Sequence, residues 1–342
     1  MNIGIIGFGG VGQALIKLLV EKKNYIFEKY NLDIKVKYIV KSDGGIYKAN
    51  GIDLEELLEF INKNKSIKEH ILWKSNLSIQ EVIKNNDIDT LIELTSTNIE
   101  TGEPGLTHIK RALESKINVV TGNKGPIILK YKELKEIADK NSVELKVGCT
   151  TGGALPSING GLYDVAGSEI QAIEGILNGT TNYILSKMSM EKVSYEEALV
   201  QTQKDGIAEA NPSLDILGYD TACKIVISAN VLMDANIKLE DIEVKGITEV
   251  KLETIKNAQK ENKKLKLIGK VYREDNVTKA YVRPIEIKED HPLYFVDYKN
   301  KGVCFKTDTL GDISIIGGAS GTMNAAASIL RDIVLIKEKV LE

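Results

Sequence analysis

Four side chains suited to acid–base and ionic chemistry lie close together in this sequence: Glu209, Asp215, Asp220 and Lys224. They fall in the run A-E-A-N-P-S-L-D-I-L-G-Y-D-T-A-C-K, which starts at Ala208 and is otherwise rich in apolar residues. Three carboxylates and a lysine suit a small zwitterion. A carboxylate receives its ammonium, and a lysine gives a proton to a reacting oxygen that gains negative charge. A helix is expected over residues 215–232, with Asp220 and Lys224 four apart on one face. That helix is apolar nearly all round (Ile216, Leu217, Ala222, Ile225, Val226, Ile227, Val231), the pattern of a buried element. An exposed i,i+4 pair is the bland alternative. Burial disfavours it, because an ion pair is costly to strip of water.

Just upstream, G-I-L-N-G-T-T-N-Y-I-L begins at Gly175. A strand over 171–177 is expected to turn through Asn178-Gly179-Thr180 into a helix over 181–190. The Thr180 and Thr181 hydroxyls are the expected N-caps, and the helix N-terminus offers N–H groups to a carboxylate. A well-capped helix that binds nothing satisfies the same local pattern.

These residues need a scaffold, and 342 residues suffice for two domains with separate cores. The first half alternates strand and helix. An apolar strand, Ile3 to Ile6, leads into Gly7-Phe8-Gly9-Gly10-Val11-Gly12 and a helix through about Val20. This is G-x-G-x-x-G with a strand before it and a helix after it, the setting of a dinucleotide-binding turn. Gly7 permits the turn, Gly9 admits a pyrophosphate, Gly12 allows close helix–strand packing, and Phe8 and Val11 complete the candidate loop. The second strand, 34–40, ends at Lys41-Ser42 with Asp43 beyond. A lysine there favours a 2′-phosphate and hence NADP; a solvated Lys41 with Asp43 on the ribose would instead favour NAD. A helix over 54–64 and a short one over 80–85 follow. A buried strand over 90–94 then presents Thr95 and Ser96 at its carboxyl end, where cofactor contacts fall. A strand over 117–121 delivers Lys124 in Gly122-Asn123-Lys124-Gly125-Pro126. A helix over 131–140 and a strand over 144–147 complete a doubly wound α/β domain with a parallel sheet.

After Gly148 small residues crowd a loop, and Pro156 to Val165 leads into a helix. Helices are expected over 195–204 and 249–262, with strands over 265–271, 277–287 and 294–297. This second half reads as an α+β domain. Gly317-Gly318-Ala319-Ser320-Gly321 precedes a last helix over 324–339, which suggests a return to the first domain. The expected division is therefore 1–148, 149–316 and 317–342.

Composition narrows the classes further. With 45 basic against 48 acidic side chains, no concentrated basic surface for nucleic acid is expected. The opening M-N-I-G-I-I carries no basic n-region, and no apolar run approaches the roughly 20 residues of a membrane span. Cys149, Cys223 and Cys304 are scattered and odd in number, as are His70, His108 and His291. A zinc site of the Cys/His kind is not expected, and a reducing cytoplasm is.

Over nearly its whole length the chain resembles the homoserine dehydrogenases. The resemblance rests on the Gly175 and Ala208 runs with their Glu209, Asp215, Asp220 and Lys224 spacing, and on T-G-N-K-G-P around Lys124. Asp290-His291-Pro292-Leu293 and the terminal glycine run match more loosely. The resemblance implies reversible NAD(P)H-dependent reduction of L-aspartate 4-semialdehyde to L-homoserine, on the route to threonine and methionine. It implies a homodimer whose second domain forms the catalytic floor and the subunit interface. Carried over by position, Lys224 is the acid/base, Lys124 lies by nicotinamide and substrate, and Asp220 supports Lys224. Glu209 and Asp215 bind substrate, Gly179 and Thr180 line its pocket, and Gly321 touches the cofactor. Relatives can hold a monovalent cation, Na⁺ or K⁺, in a loop headed by glutamate. Here Gly148 stands at its head, leaving the carbonyls of Thr151, Gly153 and Leu155. Ile207 replaces a usual tyrosine, and Asn211 a usual aspartate. No run resembles the regulatory domain of some members, so feedback by threonine through it is not expected. Two rivals stand beside this reading: another amino-acid or semialdehyde dehydrogenase, and a nucleotide-sensing protein that has lost catalysis.

Overall fold

The computed structural model describes residues 1–63, 66–275 and 277–339. They form two compact units, Met1–Thr150 with Gly321–Glu342, and Thr151–Ser320.

In the first unit the elements run β1 (Asn2–Ile6), α1 (Gly10–Tyr30), β2 (Lys35–Lys41), β3 (Gly44–Tyr47), α2 (Leu54–Asn62), β4 (Trp73–Lys74), α3 (Ile79–Asn85), β5 (Thr90–Glu93), α4 (Gly105–Glu114), β6 (Asn118–Thr121), α5 (Lys124–Lys140) and β7 (Leu145–Lys146). The sheet order is β4-β3-β2-β1-β5-β6-β7. Strands β2, β1, β5, β6 and β7 pair in parallel. The apolar runs of β1 and β5 are buried on both faces, as helices on either side of a parallel sheet require. The order reverses between β1 and β5, so their carboxyl ends flank the crevice where such folds bind ligands. The terminal helix (Thr322–Lys339) belongs to this unit, where Ala326, Ile329 and Ile333 join Leu15, Ile16 and Leu19 of α1 in one core.

The sequence pattern misses β3 and β4, which pair antiparallel beyond β2. Lys41 pairs with Gly44, so Ser42-Asp43 forms a two-residue hairpin loop. Gly44 sits at φ 142°, and a Cβ there would lie 2.5 Å from the Lys74 carbonyl oxygen. The helix expected over 54–64 is described to Asn62, and Asn64 lies outside the described residues. Helix α5 is kinked at Lys130 (φ −143°), so the helix expected over 131–140 is its second segment. A further segment precedes it from Lys124, where the Asn123 side chain caps the helix by accepting from the Gly125 N–H.

The second unit opens with two short helical turns, α6 (Cys149–Gly152, entered from the first unit) and α7 (Ser157–Asn159). Then come β8 (Ile170–Ile176), α8 (Gly179–Glu191), α9 (Tyr195–Lys204), α10 (Ser213–Ile216), α11 (Tyr219–Leu232), β9 (Glu243–Val244), α12 (Leu252–Lys260), β10 (Lys263–Glu274), β11 (Val277–Lys288), β12 (Lys301–Thr307) and β13 (Asp312–Gly317). They build a six-stranded sheet in the order β13-β12-β8-β10-β11-β9. Pairing is antiparallel except for β9 on β11. Gly269 of β10 lets α11 lie against the sheet, since a Cβ there would stand 2.7 Å from both Thr221 and Ile225 side chains.

Two expectations fail here. No strand forms over 294–297, which is turn and then irregular; Val296 there and the preceding Leu293 share a core cluster with Ile176 and Ile268. The long helix over 215–232 is two helices, α10 and α11. Gly218 between them is left-handed at φ 88°, and Gly246 presses so close that a Cβ there would lie 2.1 Å from the Ile216 carbonyl oxygen.

Candidate active site

The break at Gly218 shapes the acidic cluster. It lets α11 begin one residue before Asp220, which places that carboxylate in a first turn where backbone N–H groups favour negative charge. One turn on, the Lys224 ammonium donates to Asp220 Oδ2 at 2.6 Å and to the Leu177 carbonyl at 2.7 Å. Both side chains are 13% exposed, so the pair is neither a solvated surface pair nor fully buried.

Asn178 joins a second carboxylate to this pair. Its Nδ2 donates to Asp215 Oδ1 at 2.7 Å and to Asp220 Oδ2 at 2.8 Å. Its Oδ1 accepts from the Thr181 N–H at 2.9 Å and so caps α8. The expected caps, Thr180 and Thr181, are not the N-cap. Asn178 takes that place because its carbonyl caps while its amide binds carboxylates, which a hydroxyl cannot do at once. Asn178 is the residue that sequence reasoning overlooked. The available signal was an amide between a strand and a Gly-Thr-Thr turn.

Burial pushes the Asp215 carboxyl above the ordinary carboxylate range, and the Asp220 charge adds to the rise. Donation from Asn178, the Lys224 charge and the Thr180 hydroxyl oppose it. Asp215 thus gains from a further cation, which is the condition for holding an ammonium. Thr180 donates at 3.5 Å to the carbonyl of Ile207, and a Cβ on Gly179 would crowd the Lys299 carbonyl oxygen at 3.2 Å. Glu209 stands apart. It is exposed, and among the described residues no hydrogen bond or ion pair joins its carboxylate to the cluster.

In the first unit the glycine loop is closely packed at two of its glycines and open at a third. Gly7 is at φ 93°, and a Cβ there would lie 2.5 Å from the Leu94 carbonyl. A Cβ on Gly12 would lie 3.0 Å from the Gly7 carbonyl oxygen. At Gly9 it would meet nothing within 4 Å, and Gly9 caps α1 without a side-chain bond. No side chain caps the N-terminus of α1, the arrangement in which helix N–H groups can receive an anion. Phe8 is buried and Val11 half-buried beside it. Gly321, at φ 129°, precedes the terminal helix, whose Thr322 methyl would lie 2.9 Å from a Cβ on Gly10. This unit thus brings Gly321 toward the glycine loop.

At the end of β5, fully buried Glu93 accepts from the Thr95 N–H at 3.1 Å, from the Thr95 hydroxyl, and from the Thr121 hydroxyl at 3.3 Å. Asn123 Nδ2 donates to Thr95 Oγ1 at 3.2 Å and to the Ser96 carbonyl at 3.4 Å. Thr95, half-buried, and Ser96, exposed, are thereby tied to the residue just before Lys124, itself half-buried. Glu93→Ala would strip partners from the buried Thr121 hydroxyl and the half-buried Thr95 donors. The expected cost is about 1–3 kcal/mol of stability, read as a lower Tm; an unchanged Tm would show that Glu93 does not organise the loop.

At the hairpin, Lys41 is half-buried at the end of β2, while Asp43 forms an ion pair with Lys68. The Lys68 hydrogen bond holds the Asp43 carboxyl below its usual range.

A glycine loop on a parallel sheet in one unit, and a lysine–carboxylate cluster on the helices of the other, are the parts of a pyridine-nucleotide oxidoreductase that acts on a small charged substrate. The family model for homoserine dehydrogenase matches residues 156–334. The chain is 40% identical over 336 residues to the homoserine dehydrogenase of Methanocaldococcus jannaschii, covering 98% of each. It is 34% identical over 341 residues to an NAD(+)-dependent homoserine dehydrogenase of Pseudomonas canavaninivorans, covering 98% of this chain and 96% of that one. A solved structure from Archaeoglobus fulgidus, put forward as a homoserine dehydrogenase, superposes with a TM-score of 0.88 at 35% identity, covering 98% of this chain and 99% of that one. The chain belongs to the homoserine dehydrogenases, oxidoreductases that interconvert L-homoserine and L-aspartate 4-semialdehyde with a pyridine nucleotide.

Proposed function

We propose that the Asp215–Asn178–Asp220–Lys224 cluster is where the amino acid binds and where its oxygen exchanges a proton. The observation that carries this is the Lys224 ammonium held between Asp220 and the Leu177 carbonyl, beside a carboxylate, Asp215, left short of positive charge. When bound, the nicotinamide supplies the hydride that reaches the aldehyde carbon. Lys224 gives its proton to the carbonyl oxygen as negative charge grows there, and Asp220 holds Lys224 in place. Asp215 receives the substrate ammonium, with exposed Glu209 as its second acidic partner. The N-terminus of α8 at Gly179 and Thr180 receives the substrate carboxylate. Lys124, first residue of α5, adds positive charge at the nicotinamide end. Gly7, Phe8, Gly9, Val11, Gly12, Thr95, Ser96 and Gly321 hold the nucleotide. In the oxidative direction the same groups act in reverse.

NADP(H) is the proposed cofactor, with NAD the alternative that the Pseudomonas relative represents. What supports NADP is Lys41 at the end of β2 while Asp43 is occupied by Lys68. Reduced nicotinamide formed from L-homoserine with each nucleotide, followed by its near-ultraviolet absorbance, tests activity and preference together. Turnover with NADP favoured is expected, and no turnover with either would refute the reading. Lys41→Ala is expected to lower kcat/KM for NADP about ten- to a hundredfold, from the loss of a charge-assisted contact of about 1.5–3 kcal/mol, and to leave NAD unaffected. Equal losses with both nucleotides would remove Lys41 from that role.

The biological setting proposed is threonine and methionine biosynthesis in the cytoplasm, as a homodimer formed through the second unit. Exposed Ile316 and Phe295 on that unit are consistent with a covered face. Among the described residues no helix is long and apolar enough to cross a membrane.

A further inference from the structure

The loop that opens the second unit invites a cation, but its own residues do not fit a metal ion. Among the described residues no group of three or more His, Cys, Asp and Glu could hold one. Gly148 offers no carboxylate, and the Leu155 carbonyl already accepts from the Ser157 N–H at 2.8 Å. A positive charge is nevertheless present. Lys301, the first residue of β12, is only 4% exposed, and its ammonium donates to the Gly152 carbonyl in the middle of the loop. A Cβ built on Gly153 would lie 3.6 Å from that nitrogen, so the ammonium sits directly against the Gly152-Gly153 turn. The loop is fixed around it. Gly153 is left-handed at φ 60°, the Leu155 N–H donates to Gly152 at 3.2 Å, and Thr151 and Ser157 share a hydrogen bond of 2.6 Å. Gly318, next to the partner of Lys301 in the β12–β13 ladder, has no room for a Cβ because the Leu155 backbone nitrogen would be 2.3 Å away.

A buried ammonium is a point charge with three donors and no acceptor, so it needs carbonyl oxygens as a small monovalent ion does. An ion placed among the Thr151, Gly153 and Leu155 carbonyls would face the charge of this ammonium, which is held on the Gly152 carbonyl and lies against Gly153. We propose that Lys301 is the built-in cation of this loop, so that the protein needs neither Na⁺ nor K⁺ to hold it. The proposal does not rest on the assigned reaction, because stability reads it out without substrate.

The test is thermal denaturation of the apoprotein in choline, sodium, potassium and ammonium chloride at one ionic strength, for the wild type, Lys301→Ala and Lys301→Met. The wild type is expected to melt at the same temperature in all four. Lys301→Ala, which vacates the ammonium's place, is expected to melt several degrees lower in choline and to recover in ammonium or potassium. Lys301→Met, which fills the place without charge, is expected to melt low in all four. A wild-type Tm that rises in sodium or potassium over choline would overturn the proposal. So would a Lys301→Ala protein as stable as the wild type in choline, or one lowered equally in all four salts. Should that variant fail to fold, the wild-type series alone decides.

Discussion

Lys224→Met is expected to lower kcat for homoserine oxidation by about a hundred- to ten-thousandfold, the usual span for losing a positioned proton-transfer group. KM for homoserine should move far less, because the lysine acts most strongly on the oxygen as it gains charge. The structure adds a reason to choose methionine. Lys224 spends donors on Asp220 and on the Leu177 carbonyl, so truncation to alanine would leave a gap as well as remove the proton. Methionine keeps most of the volume and isolates the chemistry. An unchanged kcat would remove Lys224 from proton transfer.

Asp215→Asn is expected to act on the other parameter. If Asp215 holds the substrate ammonium, its loss should raise KM for homoserine about thirtyfold or more, the effect of removing one partner of a largely buried charge pair. The wild-type pH profile should carry the same signature. Burial and Asp220 raise the Asp215 pKa, so the carboxylate takes its proton at a higher pH than an ordinary carboxyl group. KM should therefore rise as pH falls through that raised value, and the Asn variant should lose this dependence. Stability moves the opposite way. A carboxyl whose folded pKa lies above its unfolded value contributes stability below the unfolded pKa and loses it as pH rises through the folded one. At neutral pH the wild type holds an unfavourable buried charge. Asp215→Asn should then melt no lower than the wild type, while binding substrate worse. A variant that loses stability and keeps its KM would contradict both arguments.

Much of this was legible in the residues. The glycine loop could be read because a short apolar strand and a helix flank it, and φ 93° at Gly7 needs glycine. The Asp220–Lys224 pair could be read from helical spacing alone, and it survives as a 2.6 Å contact. The elements that escaped were those set by distant contacts. The β2–β3 hairpin depends on Gly44 fitting beneath the Lys74 backbone, which no local pattern announces. Strands β12 and β13 also escaped, being short and each holding a glycine at or next to one end. The break at Gly218 was hidden because the helix reads as apolar on both sides of it, and only Gly246 packing on Ile216 makes it necessary. Within the site, Asn178 was passed over for the two threonines that follow. Its value lies in reaching Asp215 and Asp220 from 37 and 42 residues away, which is a tertiary fact. Glu209, grouped with the others by proximity in sequence, lies outside their hydrogen-bonded network.

The sharpest test of an amino-acid site built on Asp215 and Lys224 is a steady-state comparison of L-homoserine with 4-hydroxybutyrate, the same alcohol without the ammonium. If Asp215 binds that ammonium, kcat/KM for homoserine should exceed that for 4-hydroxybutyrate by about a hundredfold or more, and Asp215→Asn should erase most of the difference. Similar kcat/KM values for the two alcohols in the wild type would show that the cluster does not recognise an amino acid.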